Sequence, residues 1–92
     1  MKRKIHPPGE HLMLMEVAFK AGGIGESHSH PHEQISYCLE GKVAFHIDGE
    51  TLRIHAGQSV VISSHTEHGV TALEDNTLRD AFTPLCQDLL NT

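Results

Sequence analysis

His28, Ser29 and His30 set two imidazoles two residues apart, and in an extended segment that spacing sends both side chains to one face. Gln34 has the same parity just past a bend at Pro31, so its amide oxygen can supply a third donor. His68 follows the polar run Ser63, Ser64, His65, Thr66 and Glu67, a loop that lets a later strand carry its imidazole across to the first three. Such a set suits one divalent transition metal, with nickel, zinc, manganese, iron(II) and copper all compatible with nitrogen and oxygen donors. Because all four donors are neutral, the ion keeps its +2 charge and attracts an anionic substrate. Open coordination positions make a site of this kind catalytic rather than structural. His32 shares the parity and replaces one of the four if the bend falls differently. His6, His11, His46, His55 and His65 have no partner at ligand spacing and read as solvated.

Asp80 is the second chemical candidate. It shares a face with Leu78 and Phe82 on a strand-like segment, and a carboxylate on an otherwise apolar face needs a reason. Two placements are open. If that face looks into the protein, burial raises the carboxyl pKa toward values useful for moving protons. If it lies at a rim, Asp80 reaches water. Arg53 and Arg79 are candidate partners for an anion should either point inward.

The elements that would hold these groups are strands. Met13, Met15, Val17 and Phe19 alternate with less apolar neighbours, as expected of a strand packed on a core. Gly22, Gly23 and Gly25 mark a turn. Further strands are expected over residues 34–40, 42–47, 51–55, 58–62, 68–73 and 77–82, with Asp48-Gly49 as a hairpin turn. Pro84 ends the last of them, and residues 85–90 have the pattern of a short helix. Ile35, Tyr37 and Leu39 form an apolar face opposite Gln34, Ser36 and Cys38; joined by Leu12 and Leu14, that face is expected to pair with a second subunit in a homodimer.

Composition narrows the function classes. The 92 residues suffice for one domain with a thin core, which a bound metal or second subunit would reinforce. Seven Lys and Arg stand against twelve Asp and Glu, and no basic run follows Lys2-Arg3-Lys4, so a nucleic-acid partner is not expected. The apolar run ending at Phe19 is far shorter than the ~20 residues of a membrane span, and no signal peptide is expected. Cys38 and Cys86 form no disulfide framework, which suits the cytoplasm.

Residues 25–41, with the His28–His30 pair, resemble the first sequence motif of the cupin superfamily, and residues 57–72 resemble the second, with Gly57 and His68 matching. Ser63, His65 and Ala72 stand where the second motif has Pro, Gly and Asn. The resemblance implies an all-β fold, a single-domain cupin jelly-roll β-barrel with its core over about residues 12–84. The run from His28 to Tyr37, with Gln34 in place of the usual Glu, is similar to the small cupins of pectin and alginate breakdown, the KdgF type, as is the ending Asp80-Ala81-Phe82-Thr83-Pro84. That likeness implies ring opening of 4,5-unsaturated uronates to linear 4-deoxy-5-keto uronates. It casts His28, His30, Gln34 and His68 as metal ligands, Asp80 as the proton-transferring group and Phe82 as a wall of the substrate pocket. Cys86 stands where those relatives usually place an Arg. A metal-dependent dioxygenase, or a non-catalytic sugar-binding cupin, would use the same barrel differently.

Overall fold

A computed structural model describes residues 1–85, and among these there are nine strands and no helix. The strands are β1 (Lys2–Ile5), β2 (Met13–Phe19), β3 (Ile24–His28), β4 (Glu33–Glu40), β5 (Lys42–Ile47), β6 (Glu50–His55), β7 (Ser59–Ile62), β8 (His68–Ala72) and β9 (Asn76–Thr83). They form a five-stranded sheet ordered β1-β2-β9-β4-β7 and a four-stranded sheet ordered β3-β8-β5-β6, with every pairing antiparallel. The two sheets enclose one core, in the manner of a jelly-roll barrel. The helix expected over residues 85–90 lies outside the described residues, apart from Leu85.

Alternation decides which side chains enter the core. In β2 every odd position is buried and every even one half-exposed. Met13, Ile62, Leu78 and Val43 are among the largest side chains wholly removed from water. Each such burial contributes about 1.5–3 kcal/mol, so a sheet this small has little to spare. Turn chemistry fixes the corners. Asp48 and Gly49 both adopt positive φ, 49° and 81°, giving the two-residue type I′ hairpin that matches strand twist. Gly41, at φ 82° between β4 and β5, has no alternative residue: a Cβ there would collide with the Asp75 carbonyl oxygen and with Asn76.

The inner face of β4 departs from the apolar rule. Gln34, Ser36 and Cys38 point inward, and in the adjacent β9 they pair with Phe82, Asp80 and Leu78 respectively. One end of the core is therefore polar and the other apolar. The outer face of the same sheet carries the opposite anomaly. Leu14, Ala81, Ile35 and Val61 lie in register across four strands, with Ile35 46% and Val61 59% exposed.

Two strands were not anticipated. β1 is a charged four-residue edge without periodicity, and it extends the barrel beyond the expected 12–84 core. β3 begins directly after the expected turn at Gly22 and Gly23 and takes in Gly25, the third glycine assigned to that turn. Gly25 is accommodated there because a Cβ would press on Val70 of β8.

Candidate metal centre and cavity

Three histidines converge at the polar end. β3 ends at His28, which pairs directly with His68 at the start of β8, and their ring centroids are 4.6 Å apart. His30 lies just beyond β3, 4.8 Å from the His68 ring and 5.5 Å from His28. Their ligand atoms all fall within 4.8 Å of one another. His68 thus reaches the group as a cross-strand neighbour of His28 in one sheet; the expected reach across the barrel belongs instead to Gln34, on the opposite sheet. His32 is turned away. Its Nδ1 bonds the Pro84 carbonyl oxygen at 3.0 Å, and it does not join the cluster.

Short backbone contacts orient each ring. His28 Nδ1 donates to the Glu26 carbonyl oxygen (3.0 Å), His30 Nδ1 to that of His32 (3.0 Å), and His68 Nδ1 to that of Thr66 (2.8 Å). A neutral imidazole that donates through Nδ1 carries its lone pair on Nε2, so all three present a free donor atom to a common point. Burial holds the His68 pKa below its ordinary 6.5, an effect that outweighs the Thr66 bond and is reinforced by the neighbouring His28 and His30. Burial thus favours the neutral ring, the form that coordination requires.

Gln34 completes the fit. Its Nε2 donates to Ser36 Oγ at 2.8 Å, which turns its Oε1 toward His30 Nε2 at 3.1 Å. With Nδ1 donating to the His32 carbonyl oxygen, a neutral His30 offers Nε2 as an electron-pair donor beside Oε1, and the two atoms can share one cation. The donor set therefore suits a divalent metal ion, with three imidazole nitrogens and an amide oxygen.

Below the histidines lies a cavity of about 500 Å³, lined among others by His28, His30, His68, Gln34, Asp80 and Phe82. Of the two placements open to Asp80, the cavity is the one observed. It is only 7% exposed, and its Oδ1 has no hydrogen-bond partner among the described residues. Burial pushes its pKa up to about 6 against hydrogen bonding from Ser36 and Gln34. Phe82 stands edge-on to His30, ring centroids 5.9 Å apart, and packs between the histidine cluster and the core.

Neither arginine considered from the sequence faces this cavity. Arg79 is on the outer face, bonded through Nε to Glu16 Oε1 at 2.8 Å, and Arg53 lies outward opposite Ala44. Two residues of the site went unforeseen as such. Ser36 was placed on the Gln34 face by alternation, but its part in aiming the amide depends on side-chain contact. Arg3 lines the cavity from β1, whose sequence carries no strand signal.

Residues 15–79 match the cupin domain family. The chain is 36% identical to the pectin degradation protein KdgF of Dickeya dadantii, over 98% of this chain and 84% of that one. The structure of KdgF from a Halomonas species superposes with a TM-score of 0.91 at 37% identity, covering 95% of this chain and 81% of that one. An RmlC-like cupin from Shewanella frigidimarina superposes at 0.90 with 31% identity, covering 95% and 78%. A domain match over most of the length, together with near full-length similarity to a KdgF, places this chain in the cupin superfamily, in its KdgF family.

Proposed function

We propose that this protein opens the ring of 4,5-unsaturated uronates, yielding linear 4-deoxy-5-keto uronates in the breakdown of pectin or alginate. The observation that carries the reading is the presence of Asp80 in the same cavity as the three-histidine cluster, with a carboxyl oxygen left without a partner. The similarity to a pectin degradation protein supports it.

In this reading His28, His30, Gln34 and His68 hold one divalent ion. Bound there, it supplies Lewis acidity toward the oxygens of the sugar acid. Asp80 delivers its proton to C4 of the unsaturated sugar. As the C4–H bond forms, the former double bond leaves C5 electron-poor. The C1–O5 bond then breaks and its electrons stay with O5, which becomes the C5 ketone. The C1 hydroxyl gives up its proton to the Asp80 carboxylate and becomes the aldehyde, so the reaction is an isomerisation that restores the acid. Phe82 closes the wall beside the sugar and keeps water from the carboxyl group. Loss of the ultraviolet absorbance of unsaturated galacturonate on adding metal-loaded protein, without oxygen uptake, is the expected result. Unchanged absorbance overturns the assignment, and oxygen uptake would mark a dioxygenase.

The reading includes a homodimer and a cytoplasmic location. The exposed row Leu14–Ala81–Ile35–Val61 supports pairing of two copies through the outer face of the five-stranded sheet. Light scattering at micromolar concentration should give twice the chain mass, and a monomer would exclude the pairing. Cys38, a buried thiol free of any disulfide, accords with a reducing compartment. Among the described residues no helix is long and apolar enough to cross a membrane.

A further inference from the structure

We propose that Arg3 binds the carboxylate of the substrate, so that β1 supplies the anion specificity of the cavity; this rests on the uronate reading above. In β1, Arg3 pairs with Val17 and Ile5 with Met15, and both partners face the core. Ile5 packs on that core, and Arg3, with the same parity, lines the cavity. Lys2 and Lys4 have the opposite parity and lie beside Ala18 and Glu16 on the outer side; Arg3, exposed at the sheet edge, borders that outer groove as well as the cavity.

Charge gives this placement its meaning. Apart from the histidines, the ionisable side chains lining the cavity are Glu26, Asp80 and Arg3. An anionic ligand would be repelled by the Glu26 carboxylate, and Arg3 is the one permanently charged cationic side chain on the lining to oppose it. Among the described residues it forms no ion pair, whereas Arg79 is held by Glu16. Its guanidinium is therefore free to offer a planar two-pronged contact to a carboxylate.

The register also sets the distance. Asp80 pairs with Met15 and Leu78 with Val17, so Arg3 lies two strands across and one inward-facing position along from Asp80. At ordinary strand spacing and rise that is about 12 Å between Cα atoms. An extended arginine, a short aspartate and one sugar acid fill such a gap. In a 4,5-unsaturated uronate the carboxylate is attached to C5, next to the C4 that takes the proton. Anchoring the carboxylate at Arg3 therefore presents C4 to Asp80.

The test compares metal-loaded wild type, Arg3→Gln and Arg3→Lys on unsaturated galacturonate and on its methyl ester, with metal content measured for each. Wild type should prefer the acid. Arg3→Gln should raise KM for the acid about 10- to 100-fold, with kcat falling less, and should erase the preference over the ester. Arg3→Lys should restore part of both. If wild type turns over the acid and Arg3→Gln keeps the same KM and the same preference at equal metal content, the Arg3 assignment is wrong while the uronate reading stands. If wild type turns over neither compound, the uronate reading is wrong and the assignment falls with it.

Discussion

Asp80→Asn is expected to lower turnover of unsaturated uronate by about 10²–10⁴-fold while leaving metal content unchanged, the range typical of removing a positioned proton donor. Asparagine keeps the shape and the contacts to Ser36 and Gln34 but cannot deliver a proton to carbon. The same substitution should stabilise the metal-free protein at neutral pH. Asp80 has a folded pKa of about 6 against an ordinary 3.8, so the folded chain binds the proton more tightly than the unfolded one. Stability is then highest below the ordinary value, falls as pH rises between these two values, and levels off above about 6. The gap corresponds to about 3 kcal/mol. Urea denaturation of metal-free protein at about pH 4 and about pH 7.5 should show wild type losing that amount relative to Asp80→Asn. Equal pH dependence in the two proteins would remove the buried acid, and undiminished turnover would remove its proton-transfer role.

His68→Ala should abolish stable metal binding. Losing a group that only orients a ligand costs about 10–100-fold in affinity, and His68 is itself one of the three imidazoles. The effect reaches stability because His28 and His68 belong to one sheet and Gln34 to the other, so an ion held by all of them fastens the two together. At free metal a thousandfold above the dissociation constant, binding contributes about 4 kcal/mol to the folded state. Wild type should therefore melt at a clearly lower temperature after treatment with a chelator, while His68→Ala should melt alike with and without metal. Full metal occupancy in His68→Ala, measured by elemental analysis, would show that the ion is held elsewhere.

Much of this site is readable in the chain, and the parts that are not share one cause. The closeness of His28 and His30 and the inward face of Gln34, Ser36 and Cys38 in β4 follow from spacing along the chain, which is local. So does the inward face of β2. Alternation assigns side chains to the two faces of one strand but does not say which strand lies beside it. Hence His68 was expected from across the barrel and proves to be the neighbour of His28. Asp80 shares a face with Leu78 and Phe82 in any reading, yet only its pairing with Ser36 shows that this face looks inward at the polar end. β1 left no trace in the pattern because it is held by pairing with β2, and three of its four residues are charged.

The pairing of Gln34 with Phe82 and Ser36 with Asp80 has a consequence for how such a protein can change over generations. The four side chains occupy two successive inward-facing rungs of one ladder, with the outward-facing Ile35–Ala81 pair between them. Exchanging one of them alters the chemistry without changing which face of the sheet the others occupy. Inserting or deleting a single residue within β4 or β9 would send the displaced part of that strand's set to the opposite face at once. Variation by substitution is therefore cheap at this site and variation in length is prohibitive. A lineage can retune the barrel for a new ligand one rung at a time, provided the residue counts within β4 and β9 are inherited intact.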